Sequence, residues 1–235
     1  MRGNHTKEKE LIGSILKVGC RDILNKQNVK SCFNKLEGFS NELYRHSVNV
    51  SILSVTLGIY SGKDMSELRD LFISGLLHDY GKLFISEEIL NKCNGLTLQE
   101  RIEIEAHALL GYQYLKYEQC FNNKILLGIL EHHEKMDGTG YGYRKSEKDI
   151  SEYAKIIMIA DVYDAMISDR VYRSRIDRGI VYEYLFSNAG SHFSSSLIKC
   201  FINNTLSLDL DYVIRVAEDN IFNNNSRSTL NQAYR

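Results

Sequence analysis

Proline is missing altogether from this 235-residue chain, where the usual frequency of about 5% would supply roughly a dozen. Because proline is the strongest helix breaker, its absence favours uninterrupted helices. Long apolar runs are missing too: nothing approaches the roughly 18 consecutive residues of a membrane-spanning helix. Nor is there a charge excess. Lys and Arg total 29 against 30 Asp and Glu, a net charge of −1, which excludes a broadly cationic coat for a nucleic-acid polymer. The five cysteines (20, 32, 93, 120 and 200) form no Cys-x-x-Cys pair. They read as reduced thiols, most of them buried as small hydrophobes. Met1 to Glu10 is polar and lacks the apolar centre of a signal peptide, so the expected location is cytoplasmic.

What is present suits a sizeable core, with 43% apolar and 25% charged residues. Apolar residues recur at helical spacing in Leu43–Tyr60, Met65–Leu77, Leu98–Lys116, Lys124–His133 and Ser151–Ile167. Ser61-Gly62, Asn94-Gly95 and Asp137-Gly138-Thr139-Gly140 punctuate them, and Ser40 or Asn41 is placed to cap the first. The fold class expected is all-α, a helical bundle with a short C-terminal extension. Three regions follow: an N-terminal helical segment over 1–38, a bundle over 39–205, and an extension with a polar tail over 206–235. The first is sized for a helical cap or a dimerisation segment, not for a sensory domain. Within the last, Tyr212-Val213-Ile214-Arg215-Val216 alternates like a strand or hairpin.

The chain has seven histidines, and five in the bundle carry the main chemical signal: His46, His78, His107, His132 and His133. Glu42 lies one helical turn before His46, on the same face. Asp79 follows His78, and Asp161 interrupts an otherwise apolar helix face. Intervals of 25 to 32 residues separate these groups, about the length of chain that two short helices take to return to the same end of a bundle. Imidazole mixed with carboxylate suits Fe, Mn, Zn, Ni or Co better than Mg or Ca. Eight candidate ligands exceed one tetrahedral ion and fit two or three. His5 and His192 lack such company and read as ordinary polar residues.

His78-Asp79 with Gly81-Lys82, followed by His132-His133-Glu134 and Asp137-Gly138-Thr139-Gly140-Tyr141, resembles the HD-GYP family, a branch of the HD metal-dependent phosphohydrolases. His46, the stretch around His107, and Asp161-Val162-Tyr163-Asp164 leading to Arg170 and Arg173 extend the likeness over about residues 40 to 203. The resemblance implies an HD-type helical bundle with two or three divalent ions, iron or manganese. It further implies hydrolysis of cyclic di-GMP to linear pGpG, with or without further cleavage to GMP. His46, His78, Asp79, His107, His132, His133 and Asp161 match the family's metal ligands, Asp79 as the bridging carboxylate and Glu42 as the extra ligand of three-metal members. Lys82 matches the lysine that reaches the substrate phosphate, and Arg170 and Arg173 the basic pair after the last aspartate. Gly138, Gly140 and Tyr141 shape the substrate-side loop.

One position departs from the signature: Gly142 stands where the family has proline. In a chain without proline this implies a looser loop, at about 0.4–1 kcal/mol of unfolded-state entropy, rather than a lost metal site. Two other readings stay open: hydrolysis of another cyclic dinucleotide or nucleotide phosphoester, and a non-catalytic module that binds one. The expected partner is a cyclic dinucleotide, with no membrane and no nucleic-acid polymer; a homodimer or docking to a signalling protein is left open.

Overall fold

The computed structural model describes residues 13, 27–168, 175–205 and 213–214. Ten α-helices are found among them: α1 (Gln27–Phe39), α2 (Asn41–Tyr60), α3 (Met65–Leu77), α4 (Glu87–Leu90), α5 (Leu98–Glu105), α6 (His107–Tyr117), α7 (Asn123–Glu131), α8 (Glu152–Ile167), α9 (Arg178–Ser187) and α10 (Ser195–Thr205). A 3-10 turn, Tyr80–Phe84, follows α3. No strand occurs among the described residues; the bridges Asp137–Ser146 and Ala189–Phe193 stand alone. The all-α expectation holds.

Helix starts follow local chemistry. Ser40 caps α2 by accepting from the Leu43 N–H, and Ser151 caps α8 through Ala154. Asp64 with Glu67, and Thr97 with Glu100, form reciprocal capping boxes on α3 and α5. Of the 20 residues of α2, 14 are buried, which makes it the central rod, packed against α3 and α8. Small side chains let the rods approach: a Cβ on Gly75 of α3 would lie 2.9 Å from the Ser51 Cα of α2. Because α2 and α3 turn back on each other at Ser61–Asp64, His46 near the start of one and His78 just past the end of the other reach the same end of the bundle.

Several expectations are corrected. Leu98–Lys116 is two helices, not one, because the chain turns at Ala106. Of the described cysteines only Cys32 is buried; Cys93 and Cys120 lie exposed in loops and Cys200 is half-buried, so the thiols are mostly not core. Val213 and Ile214, expected in a strand, are helical and buried against the core. The remainder of that stretch, Cys20 and most of the N-terminal segment lie outside the described residues. No helix among the described residues is long and apolar enough to cross a membrane.

Candidate metal centre

Seven of the residues singled out in the sequence meet at that end of the bundle. One ligand atom from each of Asp79, His107, His132 and His133 falls within 4.8 Å of the others; the same is true of His46, His78 and Asp79, and of His78, His132 and Asp161. Asp79 belongs to two of these groups, with Oδ1 3.2 Å from His107 Nε2 and Oδ2 3.4 Å from His78 Nε2. His46 Nε2 lies 3.1 Å from Asp161 Oδ1.

Four of the five imidazoles are oriented by their other nitrogen. Nδ1 of His78 donates to the Gly75 carbonyl at 2.7 Å, that of His107 to Ile104 at 2.6 Å, and that of His132 to Ile129 at 2.6 Å. A carbonyl oxygen only accepts, so Nδ1 carries the proton and Nε2 presents a lone pair inward. His46 sits inside a helix whose carbonyls are already engaged, and its Nδ1 turns instead to Asp164 Oδ2 at 2.7 Å. Asn49 and Ser168 hold the other oxygen of that buried carboxylate at 2.9 and 3.1 Å. Such outer partners raise ligand basicity and fix ring direction.

The result is an arrangement that asks for a cation. Nε2 of His78 is buried with no hydrogen-bond partner, and the two Nε2 atoms of His107 and His132 face each other at 3.2 Å, lone pair to lone pair. A divalent ion among them fits the donor set of imidazoles and carboxylates. Electrostatics agree. Burial would raise the Asp79 pKa, but Lys82 and the imidazoles hold it well below the usual carboxylate range. Asp161 is likewise kept low, against burial, by its bond to His46. Burial opposes a charge on His46 too, yet Asp161 and Asp164 raise it to about 9, whereas burial among other imidazoles drives His133 down to about 3. His133, neutral, is a ready ligand, whereas His46 would have to shed its proton to become one.

A cleft of about 330 Å³ opens beside the cluster, lined by Phe39, Ser40, Glu42, Leu43, His46, Lys82, Glu87, Leu90 and Asn91. Lys82 stands at the junction, its Nζ donating to Asp79 Oδ2 at 2.6 Å. Glu42 lines the cleft with His46 but belongs to none of the three ligand groups. On the other side the Tyr141 ring stacks on His133, centroids 4.5 Å apart at 24°. Gly138 has φ +78°, and a Cβ on Gly140 would strike the Glu134 backbone at 2.5 Å, so both glycines are demanded by the loop's path. Arg170 and Arg173 lie outside the described residues.

Sequence reasoning assigned no role to Asp164, Glu131 or Glu134. All three are essentially inaccessible, at 1%, 0% and 0% exposure. Their signal was an acid beside a ligand motif, which by itself does not separate a buried anchor from a solvated charge. Asp164 yields a test: Asp164→Asn leaves His46 without its carboxylate, and metal affinity is expected to fall about 10- to 100-fold. Competition with a chromogenic chelator measures it; unchanged affinity would remove Asp164 from the site's support.

With fold and centre in view, the class is clear: a helical bundle built around a histidine–aspartate cluster. The chain belongs to the HD domain family, whose model matches residues 31–197, and to the HD-GYP branch whose paired motifs it carries. Among curated relatives, the cyclic di-GMP phosphodiesterase PdeB of Borreliella burgdorferi is 32% identical over 176 residues, covering 75% of this chain and 46% of PdeB. The 3'3'-cGAMP-specific phosphodiesterase 2 of Vibrio cholerae is 30% identical over 179 residues, covering 76% of this chain and 34% of that protein. The chain thus spans less than half the length of these relatives. The HDG"Y"P protein Bd1817 from Bdellovibrio bacteriovorus superposes with a TM-score of 0.58 at 19% identity, covering 83% of this chain and 70% of that one, and shows the shared fold.

Proposed function

We propose that this chain is a metal-dependent phosphodiesterase that opens cyclic di-GMP to linear pGpG, residues 39–205 forming the catalytic unit. The observation that carries the reading is the set of inward-facing Nε2 lone pairs around Asp79, beside an open cleft. His46, His78, Asp79, His107, His132, His133 and Asp161 would hold two divalent ions, iron or manganese, with Asp79 shared between them. Glu42, on the cleft rim, is the anchor for a third. Ions bound there supply Lewis acidity toward a phosphoryl oxygen and acidify a water.

The chain's own residues do the rest. Lys82 bonds Asp79 and lines the cleft, and with Asp79 engaged by metal its ammonium would be available to a substrate phosphate. Arg170 and Arg173 are assigned to the same anionic group. Phe39, Leu43 and Leu90 give the cleft an apolar wall suited to a nucleobase. Gly138, Gly140 and Tyr141 shape the opposite side. The printed names of relatives support cyclic di-GMP first, and the Vibrio cholerae relative favours the mixed GMP–AMP ring as the second reading.

The test is a panel of cyclic di-GMP, the GMP–AMP ring and cyclic di-AMP, with Mn or anaerobically reduced Fe supplied. Linear pGpG from cyclic di-GMP, ahead of the other two, is expected. Turnover of the mixed ring alone would transfer the assignment to it. Tight binding without product would make the chain a cyclic-dinucleotide-binding module.

A further inference from the structure

Gly142 has φ +113°. Proline is locked near −65°, so the backbone follows a path here that the signature residue is unable to take. The cause lies beneath the loop. Glu134 is fully buried, and its carboxylate accepts the Tyr143 N–H at 2.6 Å on Oε1 and the Lys145 N–H at 2.9 Å on Oε2. A Cβ on residue 142 would sit 3.1 Å from Glu134 Oε1, in space the carboxylate already uses. The loop's near end is tied by Tyr141 N–H to the His133 carbonyl at 3.1 Å. Its far end is tied through Glu131, which takes Lys145 Nζ at 2.5 Å and the Ser151 N–H at 2.7 Å. Between these ties the Tyr141 ring lies against His133. Beside the entropy that the missing proline costs, the loop thus has an anchorage of its own in the Glu134 carboxylate.

We propose that Glu134 is a positioning residue: by gripping the Tyr143 and Lys145 amides through a turn that only glycine makes at 142, it holds the Tyr141 ring over His133 at the mouth of the site. This deepens the reading of that site as the catalytic centre and rests on it. Two consequences separate it from a loosened loop. Glu134→Gln keeps the size but turns one acceptor into an NH2 donor facing an amide N–H. Gly142→Pro restores the signature yet breaks the grip.

Amide hydrogen exchange of the metal-loaded protein reads the grip directly. Both substitutions are expected to speed exchange across residues 141–145 at least about tenfold, the loss of one charge-assisted bond. Metal per chain stays unchanged, and kcat/KM for cyclic di-GMP falls by a similar factor, with KM carrying most of it. A purely structural role would lower the thermal midpoint and leave kcat/KM per metal-loaded molecule at the parent value. Gly142→Pro with parental exchange and equal or better turnover overturns the proposal, as does unaltered exchange in Glu134→Gln. Should Glu134→Gln not fold, Gly142→Ala, which puts a Cβ against the same carboxylate, gives the same readout. If the unsubstituted protein turns over no cyclic dinucleotide, the proposed function fails, while exchange still decides whether Glu134 holds the loop.

Discussion

Replacing Asp79 by alanine is expected to abolish turnover, by at least about a thousandfold, or about 4 kcal/mol of transition-state stabilisation. Asp79 touches three of the imidazoles' Nε2 atoms and one cation. Its oxygens lie 3.2 Å from His107 Nε2, 3.4 Å from His78 Nε2 and 3.7 Å from His46 Nε2, and 2.6 Å from Lys82 Nζ. Without it two of the three ligand groups lose their anion, and the imidazoles alone hold divalent ions poorly. Bound metal per chain should fall with activity, while helix content by circular dichroism stays near the parent, because the α2–α3 rods pack well beyond this end. Turnover within tenfold of the parent would refute the bridging role. Loss of all helicity would instead make the metals structural.

The second large effect comes from a residue with no side chain. A Cβ on Gly81 would lie 1.9 Å from the His107 carbonyl oxygen and 2.7 Å from Gly111 N. Both obstacles are backbone, so no rotamer change relieves them. Gly81→Ala must push the turn Tyr80–Phe84 off α6, separating Asp79 and Lys82 from His107. A cost of about 3 kcal/mol is expected, seen as a drop of roughly 6–12 °C in thermal midpoint for a domain of this size, with loss of bound metal. A midpoint within about 2 °C of the parent and full metal content would show that the contact is not required.

How much of this was readable beforehand depends on the range of the interaction. Met65–Leu77 was legible to the residue because its periodicity and the Ser61-Gly62 break before it are local. The convergence of His46, His78, His107, His132 and Asp161 was legible because a fixed interval of chain maps onto a fixed end of a bundle. The break at Ala106 was not: continuous periodicity conceals a turn made where His107 Nδ1 takes the Ile104 carbonyl and Gly81 presses on the next peptide. Glu131, Glu134 and Asp164 escaped for the same reason. Their partners, Ser151, Lys145 and His46, are 20, 11 and 118 residues away, and an acid's sequence neighbours do not report whether such a partner waits. The path at Gly142 was not readable either, because composition records that proline is missing, not which φ replaces it.

The Nδ1 bonds of His78, His107 and His132 go to carbonyls three residues back, in the final turns of α3, α5 and α7. Those are the orphan acceptors that every helix leaves at its C-terminus. One bond thus finishes a helix and aims a ligand, so binding and local order share a free-energy term. Fraying at these three chain segments and loss of an ion bound there would be coupled events, each promoting the other. In evolutionary terms these histidines are doubly held: a descendant that abandoned the chemistry would still lose stability by discarding them. Their presence alone is therefore weaker testimony to turnover than a measured product would be.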